Sequence, residues 1–154
     1  MIRFLMYTAI ACASYFAGLL GYMGSLFLLY GETLGNEGSR LVGWTLAPYL
    51  VLLLPACTLL HLWQRRSYAA RIALLLFASL CSAAAVPAMM GFWFAWLIAP
   101  LSPELLLFLL QFLISAAMFS LGTAVSAAKR GLLVYLGLSA AVVSVAIFGL
   151  TRFA

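Results

Sequence analysis

The sequence predicts an all-α integral membrane protein, a compact bundle of five transmembrane helices with the N-terminus cytoplasmic and the C-terminus outside. Three observations carry that prediction. Hydrophobic residues make up 68% of the chain and charged residues only 7%, whereas a soluble domain carries roughly 25% charged residues. The mean hydropathy is +1.21, and no segment is both polar and long enough to form a separate water-soluble domain, so residues 1–154 are read as one transmembrane domain. The apolar residues also fall into five runs, each matching the roughly 20 residues, at about 1.5 Å apiece, that the hydrocarbon core requires.

The first run covers residues 4–30, FLMYTAIACASYFAGLLGYMGSLFLLY, and is followed by the polar loop GETLGNEGSR. Its start, MIRFLMYTAIACA, has a cation, a short apolar region and a small-residue pattern similar to a signal cleavage site. The apolar run continues well past Ala13, so a retained first helix is expected. The second run, residues 41–63, ends at the basic stretch QRRSYAAR, and the third, residues 72–99, is closed by PLSPE. The fourth and fifth, residues 105–128 and 131–150, are divided only by Lys129 and Arg130. Two adjacent cations at the bilayer centre would each cost about 2.5–3.5 kcal/mol on insertion scales. A tight hairpin that places them in headgroup water avoids that cost.

Orientation follows from the basic residues. With a cytoplasmic N-terminus the inner segments hold Arg3, Arg65, Arg66, Arg71, Lys129 and Arg130, and the outer ones hold Arg40 and Arg152. This is the positive-inside pattern. The glutamates Glu32, Glu37 and Glu104 then fall outside, Tyr30, Trp44, Trp93 and Trp96 near the outer interface, and Tyr7, Trp63, Tyr68 and Tyr135 near the inner one. The basic residues are scattered in short groups between apolar runs, which excludes a nucleic-acid-binding face and points to a multi-pass protein of a bacterial-type inner membrane.

Small residues four apart predict close helix packing: Ser14 with Gly18 and Ala17, Gly21 and Ser25 in the first helix; Ser79, Ala83, Pro87 and Gly91 in the third; Ser120, Ala124 and Ala128 in the fourth; Gly137 and Ala141 in the fifth. Pro48, Pro55 and Pro87 lie within spans, where each deletes a backbone hydrogen bond. Packing is the preferred reading of these prolines over a cavity lining.

Little in the chain can carry chemistry. There is no Asp, a single His and no glycine-rich phosphate loop, so no enzyme and no cofactor are expected. Cys12, Cys57 and Cys81 lie roughly 9–14 Å from the inner boundary by helical rise, with His61 one turn beyond Cys57. Three thiols and an imidazole are the donor set of a soft-metal site. Buried small hydrophobes are nevertheless the preferred reading of the cysteines, and an interfacial residue beside Trp63, Arg65 and Arg66 that of His61.

The fourth helix is the most informative element. Steps of four and three from Glu104 reach Phe108, Gln111, Ser115, Met118 and Gly122, while leucines fill the other faces. Polar residues avoid lipid, so this stripe is expected to face the bundle, a partner or a solute. Ser102 is expected to cap the helix with Pro103 at its first position, which puts Glu104 at the positive end of the helix dipole. Gln111 is two turns deeper, and interhelical glue is its preferred role. The leading expectation is an accessory, assembly or regulatory subunit of a membrane complex, partnered by another membrane protein or by itself as well as by the bilayer. The alternatives are a small transporter or channel for a lipophilic or cationic solute, and an immunity-type membrane protein.

Overall fold

The computed structural model describes residues 2–34, 37–62, 68–92, 102–126 and 131–152, and all the regular structure among them is helical. Helix α1 is Ile2–Tyr30, α2 is Gly38–Leu62, α3 is Tyr68–Met89, α4 is Pro103–Ser126 and α5 is Gly131–Arg152. The first four are long and apolar enough to cross a membrane, and α5 is apolar over Leu133–Gly149. This is a multi-pass helical bundle of the expected class.

The helix ends follow local chemistry. At the end of α1, Gly31 takes φ 65° and its N–H donates to the Phe27 carbonyl at 2.9 Å, a left-handed cap that only glycine adopts cheaply. Helix α3 stops at Met89, well short of the expected Ala99. Gly91 turns the chain at φ 91°, the Phe92 N–H donates to the Pro87 carbonyl at 2.8 Å and the Gly91 N–H to the Ala88 carbonyl at 3.1 Å. These two bonds form a Schellman motif, which satisfies carbonyls the helix end would otherwise orphan. Helix α3 also begins earlier than expected, so that it carries Arg71 in its first turn. Trp93, Trp96, Trp63, Arg65, Arg66, Lys129 and Arg130, on which part of the expected interface and hairpin rests, lie outside the described residues.

Helix α2 is α-helical over Gly38–Pro48 and Leu54–Leu62, with one π-helical turn, Tyr49–Leu53, between them. The Leu54 N–H reaches back five residues to the Tyr49 carbonyl. Pro48 and Pro55 bracket this turn. A proline ring clashes with the carbonyl four residues before it, and widening the turn ahead of Pro55 relieves that clash without breaking the helix.

Helix α4 is the most buried, and α1 lies along it with the chain running the other way. The buried positions Leu105, Phe108, Phe112, Ser115, Phe119 and Gly122 are spaced alternately three and four apart, the seam of knobs-into-holes packing. Opposite them, a side chain at Gly18 would run into the Ser115 hydroxyl and the Gln111 main-chain carbonyl, and one at Gly21 into Ile114. A side chain at Gly122 would lie 2.6 Å from the Tyr135 ring and 2.9 Å from Ile10. Close backbone approach at these glycines supplies the dispersion contacts that hold helices together where lipid removes the hydrophobic driving force. Helix α5 covers α1 and α4, and α3 packs against α4 and α2.

Gly18→Leu is expected to destabilise the bundle by about 1–3 kcal/mol through overpacking, read as a lower unfolding temperature in detergent. Gly24→Ala, at a position with open space around it, leaves that temperature unchanged or raises it.

Candidate functional site

The polar stripe of α4 is best followed from its N-terminal end. Ser102 caps the helix as expected, its hydroxyl accepting the Leu105 N–H at 3.3 Å. Glu104 is solvent-exposed in the first turn. Phe108, one turn deeper, is buried and stacks on Tyr22 of α1 with ring centroids 5.2 Å apart. Gln111 is 0% exposed and Ser115 1%, and Gly122 is buried against Tyr135 and Ile10. Met118 is only half-buried. The buried face is therefore rotated by about 40° from the expected stripe, counting about 100° per residue, and takes in Phe112, Ala116 and Phe119 as well.

A cavity of about 630 Å³ lies where the C-terminal ends of α1 and α3 meet the N-terminal ends of α2 and α4. Its aromatic wall is Tyr22, Trp44, Phe92 and Phe108, and Glu37 and Glu104 are its acidic groups. Glu37 is paired with Arg40 at 2.9 Å across an exposed turn, a contact that water screens heavily. This vestibule combines large π faces with two carboxylates, the chemistry that receives an organic cation with an apolar body. The stacked rings of Tyr22 and Phe108 form part of its floor, with Gln111 one turn below Phe108 on α4.

A second cavity, of about 470 Å³, lies between α1 and α2 beside the π turn and is lined by Cys12, Tyr15, Tyr49 and Leu50, with Phe119 of α4 contributing. Two tyrosines bridge it. Tyr15 of α1 reaches the Thr45 hydroxyl at 2.9 Å, and Thr45 donates to the Leu41 carbonyl at 2.8 Å. Tyr49 of α2 lies 2.5 Å from the Ser14 hydroxyl and donates to the Ala11 carbonyl at 2.8 Å. Composition and helical spacing alone do not reveal this network. The available signal was a tyrosine at mid-span, beside a proline and level with Ser14, because a buried phenol needs a partner.

The cysteines occupy dissimilar settings: Cys12 is exposed, Cys57 buried and Cys81 intermediate. Among the described residues no three His, Cys, Asp or Glu side chains come together to hold a metal ion. His61 packs edge-on against Tyr7, with ring centroids 5.7 Å apart. Neither a known protein family, nor a curated sequence, nor a solved structure matches this chain.

A maleimide that enters the bilayer is expected to modify Cys12 in the folded protein and to leave Cys57 unmodified until the bundle is unfolded. Mass spectrometry of the labelled chain reads both sites directly.

Proposed function

We propose that this protein binds a lipophilic organic cation at the outer face of the membrane and acts as a small transporter or receptor for it. The observation that carries the reading is the vestibule, where Tyr22, Trp44 and Phe108 stand beside Glu104 in a cavity of about 630 Å³. The positive-inside pattern supports an outward-facing mouth in a bacterial-type inner membrane. An aromatic face is worth about 0.5–2 kcal/mol to a cation held against it, and the carboxylates raise the local cation concentration. Tetraphenylphosphonium is the direct probe. In lipid nanodiscs it is expected to bind saturably and to quench tryptophan fluorescence, with Glu104→Gln and Trp44→Leu each weakening binding several-fold. Absence of saturable binding, or binding indifferent to both substitutions, would overturn the reading.

An accessory or regulatory subunit is the second reading, and the outer surface of α5 favours it. Gly137 and Ala141 are exposed, with nothing within 4 Å of where a Gly137 side chain would begin. This small-residue register is thus unused among the described residues and suits a helix of another membrane protein. Purification in mild detergent is expected to retain such a partner and to lose it in Gly137→Leu.

A further inference from the structure

Glycine opens a groove where the C-terminal ends of α1 and α5 run side by side. Nothing lies within 4 Å of where a Gly24 side chain would begin, and only the Met23 side chain enters the space beside Gly149. The result is a cavity of about 340 Å³ walled by Leu20, Met23, Phe27, Val145 and Phe148. That is more than twice the roughly 150 Å³ that accommodates a benzene ring in an apolar protein interior. Gly24, Phe27, Val145 and Phe148 are exposed, so one side of the groove opens onto the surface that faces lipid.

The two ends of the groove differ. Gly31 turns the chain out of α1 at φ 65°, and Glu32 and Thr33, which follow it, both line the cavity. At the other end Leu20 lies ten residues before Tyr30, about 15 Å along the axis by helical rise. This is half of the roughly 30 Å hydrocarbon core. The groove therefore has a carboxylate where headgroups lie and reaches the depth at which the acyl chains of one leaflet end. Among the described side chains the only ion pair joins Arg40 to Glu37, which leaves the Glu32 carboxylate available to a ligand. A carboxylate repels an anionic head, and a primary ammonium both neutralises it and donates charge-assisted hydrogen bonds to it. The Thr33 hydroxyl is a neutral donor suited to the phosphate that adjoins such an ammonium.

We propose that this groove holds one phospholipid with a primary-amine head, its ammonium on Glu32, its phosphate at Thr33 and one acyl chain lying over Gly24 towards Leu20. Leu34 lines both this groove and the vestibule, but Glu32 lines the groove alone. The lipid site is thus independent of cation binding in the vestibule. Its occupant completes the packing of α1 against α5 at the end where two glycines leave it open.

Native mass spectrometry of the full chain tests this, with phosphatidylethanolamine and phosphatidylglycerol of identical acyl chains supplied in equal amounts in mild detergent. The net charge of +5 favours the anionic lipid by non-specific attraction, so a preference for the amine lipid reports the groove. Retention of one phosphatidylethanolamine several-fold above phosphatidylglycerol is expected. Glu32→Gln is expected to abolish that preference, and Gly24→Leu, which fills the groove, to lower phosphatidylethanolamine retention several-fold. Both positions are exposed, so neither substitution disturbs the bundle core. Equal retention of the two lipids by the unsubstituted chain would overturn the proposal. So would a preference that survives Glu32→Gln, retention unchanged in Gly24→Leu, or a lipid-free dimer, which would put a second copy of the chain on this face.

Discussion

Close approach of α1 to α4 at Gly18 is the constraint on which the other helices depend. Any side chain there would strike the Ser115 hydroxyl and the main chain at Gln111. With that contact fixed and the two helices antiparallel, the remaining register follows: Tyr22 comes over Phe108 at one end, and Ile10 meets Gly122 and Tyr135 at the other. Helix α5 can then lie against both, with Tyr135 filling the space left by Gly122 and Met23 reaching to 2.9 Å of where a Gly149 side chain would begin. Small residues set the distances, and large ones fill what those distances leave.

Helix α2 is attached by different means. It packs against α3, but its link to α1 runs through long side chains, Tyr15 onto Thr45 and Tyr49 onto Ser14 and Ala11. Tyrosine side chains hold the two main chains apart as much as they tie them together, so a cleft remains beside the bridge. Interhelical hydrogen bonds in membranes average about 0.6 kcal/mol. The α1–α4 seam is therefore held by close backbone packing, and the α1–α2 joint by a few side-chain hydrogen bonds. The π turn belongs to the tyrosine-bridged side, since it carries Tyr49 on a helix whose regular bonding is interrupted by Pro48 and Pro55.

Much of this architecture was legible in the sequence. Length and hydropathy placed five helices, the Ser-Pro-Glu start of α4 was visible in its capping chemistry, and Gln111 stood out as a polar side chain that no interface accommodates. The end of α3 was not legible, because the apolar run continues past Met89 while the backbone turns at Gly91, and hydropathy carries no record of φ. Helical rise counts only position along an axis for Cys12, Cys57 and Cys81, whereas rotation about each axis decides convergence, and one side chain is exposed while another is buried. The vestibule was hidden for a related reason. Tyr22, Trp44 and Phe108 read as span or interface residues until the registers of three helices place them around one space.

The stripe on α4 shows how depth sorts polar groups. Glu104 and Gln111 are seven residues apart, about 10 Å along the axis, and point to nearly the same side. At the helix start a carboxylate keeps its water and gains from the dipole of the first turn. Two turns deeper the same charge would be desolvated at a cost of several kcal/mol, and a neutral amide is the strongest hydrogen-bonding group that depth tolerates. Hydroxyl and then glycine follow at Ser115 and Gly122, so hydrogen-bonding capacity falls along the helix as packing tightens. Apolar packing alone does not call for an amide in this seam, since leucine has nearly the same shape and no groups to satisfy. What distinguishes glutamine there is its hydrogen-bonding capacity, set on the helix that is the most buried of the bundle.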